Sequence, residues 1–479
     1  MKSLWTETEK LPSFGELPGD ITVDTAVIGG GMAGLLCAYL LREKGVKAVV
    51  LEADVIAGGQ TRNTTAKITS QHGLLYEKLL EEQGHDLARQ YAGWNQRAID
   101  RYEEMIGKLG VDCDFDRLPS YLYTMREPEV LKKEARAAAS LGIPAVYTEE
   151  TTLPFSVKGA VRFASQAQFH PLKFLSALAD KLTVYEHTKV LKAEDHKLYT
   201  PQGCVTAKKI IFAVHYPFVN HPGYYFMRMH QDRSYVVALE KAQTLDGMYY
   251  GIDKEDGLSF RNAGDLLLLG GGSHRTGENS AGGKYEYLRQ KAEELYPGCR
   301  EKYCWSAQDC MTLDDIPYIG RFSSSQPDWY VATGFRKWGM TTSMVSAILL
   351  SEAIAEEKES FGIFSPQRFT PGASAGNFCK EAGHAVKDLG KNIFAVPKAD
   401  IEELPEGHGG VVEYDGRKTG VYKEEGGEVY LVSVRCPHLG CQLAWNPDEK
   451  TWECPCHGSR FDKEGKLLDN PAQTDLEKG

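Results

Sequence analysis

A glycine turn near the start of the chain decides what its first part can fold into. Thr25-Ala26-Val27-Ile28 is an apolar run. Gly29-Gly30-Gly31-Met32-Ala33-Gly34 follows it, and Leu35, Leu36, Ala38, Tyr39, Leu40 and Leu41 continue with helical spacing. Strand, glycine turn and helix in that order form the geometry in which helix N-terminal amides and the helix dipole hold a pyrophosphate. Gly29 is expected to make the tight turn and Gly31 to let the backbone approach the phosphates, with Met32 and Ala33 beside it. Gly34 is expected to let the helix sit close to the strand. The next apolar run, Ala48-Val49-Val50-Leu51, ends in Glu52, the acid expected to bind a ribose hydroxyl. The reading is a dinucleotide cradle.

With 479 residues the chain exceeds one ordinary core, so two or three domains are expected. Apolar stretches such as Val345 to Leu350 fall far short of the ~18–20 residues that a membrane span needs. Glu7, Glu9 and Pro12 stand where a signal peptide would need an apolar core, which points to the cytoplasm. A net charge of −11 argues against a nucleic-acid partner.

Residues 1–20 read as an extended arm, and residues 74–110 as helices with Leu74, Leu75, Leu79 and Leu80 on one face. Between them Ala57 to Lys67 is rich in glycine and small hydroxyl residues, which let a backbone pass close to a ligand. From about Pro119 short strands recur through Lys209–Val214, Ser234–Leu239 and Leu266–Leu269. They are expected to build a second sheet that walls a substrate cavity. A second glycine-rich turn, Ala332-Thr333-Gly334 through Gly339-Met340-Thr341, opens a helix with Met344, Ile348, Leu349 and Ala353 as its apolar stripe. One nucleotide fold does not require this turn. Its helix N-terminus would stabilise negative charge on the pyrimidine edge of a reduced flavin, which narrows the cradle to FAD.

Residues 366–395 read as a linker with an amphipathic helix near Phe378 to Leu389, and residues 396–479 as a small all-β domain. Four of the eleven cysteines crowd that domain, in Cys436-Pro437-His438-Leu439-Gly440-Cys441 and Cys454-Pro455-Cys456-His457-Gly458-Ser459. A thiolate pair, Cys436 and Cys454, with an imidazole pair, His438 and His457, is what a [2Fe–2S] centre of the Rieske type takes. Structural zinc uses the same atoms, although an extra cysteine in each loop fits zinc poorly.

Residues 400–479 resemble a Rieske domain of the kind found in cytochrome bc-type complexes. The resemblance implies a disulfide between Cys441 and Cys456, and a Ser459 hydroxyl that donates to a bridging sulfide. It also implies that Asn470-Pro471-Ala472 covers the cluster, with the family's final strand missing or truncated. Phe461 stands where high-potential members carry tyrosine, so a middling potential is expected.

Residues 1–365 resemble the FAD-dependent oxidoreductases of the D-amino-acid oxidase and glycine oxidase superfamily, on Gly29–Gly34, Glu52, the Arg62–Ala66 loop and the Gly334–Met340 turn. The implied fold is an α/β FAD-binding Rossmann-type domain with a β-rich substrate domain. By that resemblance Arg62, Thr65 and Ala66 lie by the flavin, Gly334, Gly339 and Met340 cradle its ring, and backbone near Val190 and Ala213 meets the adenine. Lys67, His274 and Arg336 are the candidates for a catalytic part, beside His72, Gln168, His170 and Lys337. The Trp305–Asp309 stretch reads as packing. The expected activity is oxidation of an amine or amino acid, with electrons passing from FAD through the cluster to an external acceptor. The alternatives are an electron-transfer or redox-sensing module reduced by NAD(P)H or a partner protein, and a simple oxidase with a vestigial cluster.

Overall fold

The computed structural model describes residues 2–254, 257–368 and 401–479. The strand that enters the glycine turn, Ile21–Ile28, lies inside a mostly parallel sheet, between Ala48–Leu51 and Gly203–Phe212. Gln326–Thr333 extends the sheet beyond Gly203–Phe212, and Thr183–Tyr185 extends it beyond Ala48–Leu51. Strands covered on both faces read as continuous apolar runs, as Ala26–Ile28 and Ile210–Phe212 do. Helices Met32–Glu43 and Gly339–Ala355 pack on each other against this sheet. Every residue from Met340 to Ala353 is buried, so the expected one-sided stripe understates that helix.

A second sheet of nine strands is mostly antiparallel and includes Asp116–Thr124, Gly159–Gln168, Met229–Glu240, Leu266–Arg275 and the edge strand Arg300–Thr312. It is the expected β-rich domain.

Three expectations need correction. The strand at Lys209–Val214, expected in the second sheet, belongs to the first, where Gly203–Phe212 pairs in parallel with Ile21–Ile28. The first twenty residues are not simply an extended arm, because Leu4–Thr8 is a short helix that buries Trp5. Leu74 is 43% exposed and precedes the helix Tyr76–Gln83, so it takes no part in the apolar face assigned to it. The helix expected near Phe378 to Leu389 lies outside the described residues.

The C-terminal part has its own core around Tyr422, Trp445, Trp452 and Phe461. Gly409–Tyr414, Arg417–Lys423 and Val429–Ser433 form one sheet, and Ala444–Asn446, Thr451–Glu453, Arg460–Phe461 and Leu467–Asp469 form another. Asp415 and Gly416 both have positive φ, at 50° and 69°, the backbone that a two-residue hairpin turn requires. The last residues lie along Val429–Ser433, with Ser433 N donating to Glu477 O and Gly479 N to Leu431 O. Among the described residues no helix is long and apolar enough to cross a membrane.

Two candidate cofactor sites and the face between them

A cavity of about 670 Å³ opens at the end of the parallel sheet, within the ~300–1,000 Å³ usual for small-molecule and cofactor sites. Gly29, Gly31, Met32, Ala33, Glu52, Arg62 and Val190 line it, as do Ala213, Gly334, Gly339 and Met340. Gly29 has φ +105°, and a Cβ on it would press on the Ala213 carbonyl. A Cβ on Gly34 would collide with the Gly29 carbonyl, so Gly34 serves helix–strand contact and does not line the cavity. Glu52 accepts from Gly30 N at 2.6 Å and from Asp54 N at 2.9 Å, which fixes its carboxylate at the cavity wall. Burial raises its pKa against those bonds.

Thr65 and Ala66 stand just beyond the lining, which Thr64 contributes instead. The loop's carbonyls are gripped by buried donors. Trp305 Nε1 donates to Asn63 O at 2.9 Å, Trp5 Nε1 to Thr64 O at 2.7 Å, and Arg261 Nη1 to Thr65 O and Ala66 O. The loop is thus set by three side chains from remote parts of the sequence. Lys67 is not among the residues that line the cavity and donates to Tyr249 O at 3.0 Å and to Ser259 Oγ. Burial, with Arg261 nearby, pushes it down to about 7.

The remaining candidates separate. His72 bonds Tyr91 and Thr69 O and stacks on Trp338, and burial pushes it down to about 3. His170 caps the helix Pro171–Ala179, while Gln168 is buried beside strand Lys67–Ile68. His274 bonds Tyr235 and the Arg275 carbonyl, away from the cavity. Arg336 and Lys337 do line it, together with Asp309. Lys337 Nζ lies 3.9 Å from Asp309, whose carboxyl burial pushes up to about 6 despite that cation. Arg336 pairs with Asp315 at 3.1 Å.

In the small domain, Cys436 and Cys454 are buried, and the rings of His438 and His457 meet nearly at right angles with centroids 4.9 Å apart. Both Nδ1 atoms are buried without a hydrogen-bond partner. Burial pushes His438 down to about 4 and His457 down to about 3, so both rings are neutral. Two neutral imidazoles with orphaned nitrogens beside two buried thiols fit a cluster's donor set. Cys441 and Cys456 form a disulfide. Their sulfurs lie within 4.8 Å of Cys454, but being bonded to each other they cannot also serve as thiolate ligands. Ser459 Oγ accepts from Ala472 N at 3.0 Å, which ties the proline loop to the cluster loop.

The two sites share a wall. Leu467, Asp469, Asn470 and Gln473 of the small domain line the cavity with the nucleotide turn. Beside the cluster, Gln231 Nε2 donates to His457 O at 2.7 Å, and Asn470 Nδ2 donates to Tyr216 O at 2.6 Å. Further along, buried Arg233 pairs with Glu449, and Arg460 bonds Glu449 at 3.0 Å and Asp469 at 2.7 Å. Burial pushes the Glu449 carboxyl up, but Arg233 and Arg460 outweigh it and hold it down to about 2. Asp448 accepts from Gly283 N and Lys284 N, both at 3.0 Å, and so caps the helix Lys284–Leu295 from the other domain. Sequence reasoning missed Gln231, Arg233, Gln308, Glu449 and Arg460. One signal was present: His230 to Ser234 is polar on both faces of a strand, whereas a half-exposed strand alternates.

The cradle, the nine-stranded sheet over it and the cluster loops together define a flavoprotein with an iron–sulfur domain. The chain matches the DAO family, described as FAD dependent oxidoreductase, over residues 24–353, and the Rieske [2Fe-2S] domain over residues 394–478. It therefore belongs to the DAO-type FAD-dependent oxidoreductases and carries a Rieske domain, with FAD and a [2Fe–2S] cluster as its cofactors. It is 37% identical to the Rieske 2Fe-2S iron-sulfur protein YhfW of Bacillus subtilis (strain 168), over 98% of this chain and 96% of that one. It is 24% identical to gamma-glutamylputrescine oxidoreductase of Escherichia coli (strain K12), over 74% of this chain and 89% of that one. The crystal structure of glycine oxidase from Geobacillus kaustophilus shares the fold at a TM-score of 0.59 and 18% identity, covering 73% of this chain and 99% of that one.

Proposed function

We propose that the protein is a cytoplasmic dehydrogenase that oxidises an amine or amino acid at FAD and delivers the electrons, through its Rieske cluster, to an external one-electron acceptor. The observation that carries this reading is the shared wall: residues of the Rieske domain line the same cavity as the nucleotide turn. When bound, FAD takes a hydride and the cluster carries single electrons, so the pair turns one two-electron oxidation into two one-electron deliveries.

The residues divide the work. Gly29, Gly31 and the helix N-terminus at Met32 and Ala33 would hold the pyrophosphate, and Glu52 would hold a ribose hydroxyl. The helix that begins at Gly339 has its N-terminus in the cavity wall, where it would stabilise negative charge on a reduced flavin. Cys436 and Cys454 would hold one iron, and His438 and His457 the other. In the cavity wall Asp309 offers a carboxylate to an ammonium group, while Lys337 and Arg336 offer positive charge to a carboxylate. The amine that names the Escherichia coli relative agrees with such a substrate.

An anaerobic panel of amines and amino acids tests the reading, scored by flavin bleaching and cluster EPR in the same sample. A substrate that reduces both centres is the expected result. Bleaching of the flavin alone overturns the relay, and reduction by NADH with no response to any amine overturns the substrate class.

A further inference from the structure

We propose that Gln231 is the coupling residue between the two cofactor sites, its side-chain amide forming the bonded route from the cavity wall to the cluster ligand His457. This rests on the relay reading above.

The amide is buried, and all four of its hydrogen-bonding positions are used. Nε2 donates to His457 O at 2.7 Å and to Asn470 O at 3.2 Å. Oε1 accepts from His215 Nε2 at 2.8 Å and from Gln308 Nε2 at 2.5 Å. A flip of the amide would set its donors against those two donors, so its orientation is unique.

Both partners on the oxygen side are wall residues of the cavity. His215 is held there by Thr333 Oγ1, which donates to its carbonyl at 2.8 Å and immediately precedes Gly334. Gln308 is oriented by Arg233, which donates to its Oε1 at 3.1 Å, and it reaches Gly458 O at 2.7 Å. Gly458 has φ +80°, and a Cβ there would lie 2.6 Å from Gln231 Cβ. The cluster loop is thus shaped to admit this side chain.

The path from wall to ligand consists of covalent bonds and short hydrogen bonds, and it carries no charge that would favour one oxidation state. Docking strength comes from the Arg233–Glu449–Arg460 network, which meets the path where Arg233 holds Gln308. Each substrate hydride brings two electrons. One travels the path and converts one ferric iron to ferrous. The second follows after the one-electron acceptor has reoxidised the cluster, and the protons released by the substrate leave to solvent.

The test uses full-length protein loaded with FAD and cluster. A deazaflavin flash delivers one electron to the flavin, and cluster reduction is followed by absorbance. Gln231→Leu is expected to slow the flavin-to-cluster step, because it removes the hydrogen bonds that join the wall to His457. FAD content, iron content, both midpoint potentials and the EPR g values of the reduced cluster are expected to stay as in the unmodified protein. An unchanged rate overturns the assignment, and so does a slowed rate that a shifted potential accounts for. Should Gln231→Leu lose its cluster, the double variant His215→Leu/Gln308→Leu keeps the bonds from Gln231 to His457 but removes both groups that join it to the cavity wall, and it is expected to slow the step. An unchanged rate in that variant likewise overturns the proposal. Absence of any flavin-to-cluster transfer in the unmodified protein overturns the relay itself, and is distinct from transfer that the variants leave unaltered.

Discussion

The face between the two domains has two halves built in opposite ways. Away from the cluster it is ionic: Arg233 and Arg460 enclose Glu449, and Glu453 and Asp469 complete the set. Beside the cluster it is mostly amide, made of Gln231, Gln308 and Asn470, together with a cation, Arg275, whose Nε donates to Pro455 O at 3.2 Å. A buried ion pair is costly to break because the surviving charge is stranded, so the ionic half fixes register strongly. Fixed charge beside an iron–sulfur centre biases its potential, and the amides add none while satisfying the carbonyls of His457, Gly458 and Asn470. Attachment thus rests on the ionic half, and the proposed transmission on the amides.

Removing Glu449 should break the comparison most severely. Glu449→Ala removes the closest carboxylate of Arg233 and leaves it Glu453 at 3.6 Å, while Arg460 keeps Asp469 at 2.7 Å; a loss approaching about 3–5 kcal/mol is expected, read as a lower denaturant midpoint. Gln231→Leu, on the amide half, is expected to cost only ~1–3 kcal/mol, the penalty of unpaired carbonyls. Equal losses would show that the two halves are not different in kind.

Acid should distinguish the halves more gently. The carboxyl of Glu449 is held down to about 2 from an ordinary 4.5. A lowered carboxylate stabilises the folded state above its unfolded pKa, and that contribution is lost as pH falls through the folded one. The thermal midpoint of the native protein is expected to be unaffected by this pair above pH about 4.5 and to fall between there and about 2. Glu449→Gln should start lower and show a shallower acid slope. An identical slope would assign the acid sensitivity elsewhere.

The same contrast explains what could be read in the sequence. The proposed cluster ligands lie between Cys436 and His457, so spacing alone points to them, and the nucleotide turn is as local. The docking face joins residues as distant as Gln60 and Asp469, and no spacing connects them. Arg233 and Gln308 sit on strands where a polar residue ordinarily means solvent, and the small domain covers them instead. Trp305–Asp309 does serve packing, but it packs the flavin loop on one side and the cluster loop on the other. Trp5 was unreadable for a related reason: its partner, the Thr64 carbonyl, is backbone and leaves no trace in residue identity.

The smallest effect is expected from adding one polar group behind the amide half of the face, in the small domain's own core. Phe461 is fully buried in the core that contains Cys436 and Cys454, and it offers no hydrogen bond. In Phe461→Tyr the new hydroxyl is expected to donate to a cysteine sulfur. A bond to a thiolate favours the more negative, reduced cluster, so the midpoint potential should rise. If the bond is worth about 1 kcal/mol more to the reduced form, the one-electron potential rises by roughly 40 mV. Potentiometry with EPR detection measures the shift, and dithionite-reduced spectra check that the cluster is intact. A rise confined to the cluster, with the flavin potential unmoved, sharpens the separation of the two halves. A fall, or an equal shift of both centres, would mean that the hydroxyl acts through the packing of the face and not through the sulfur.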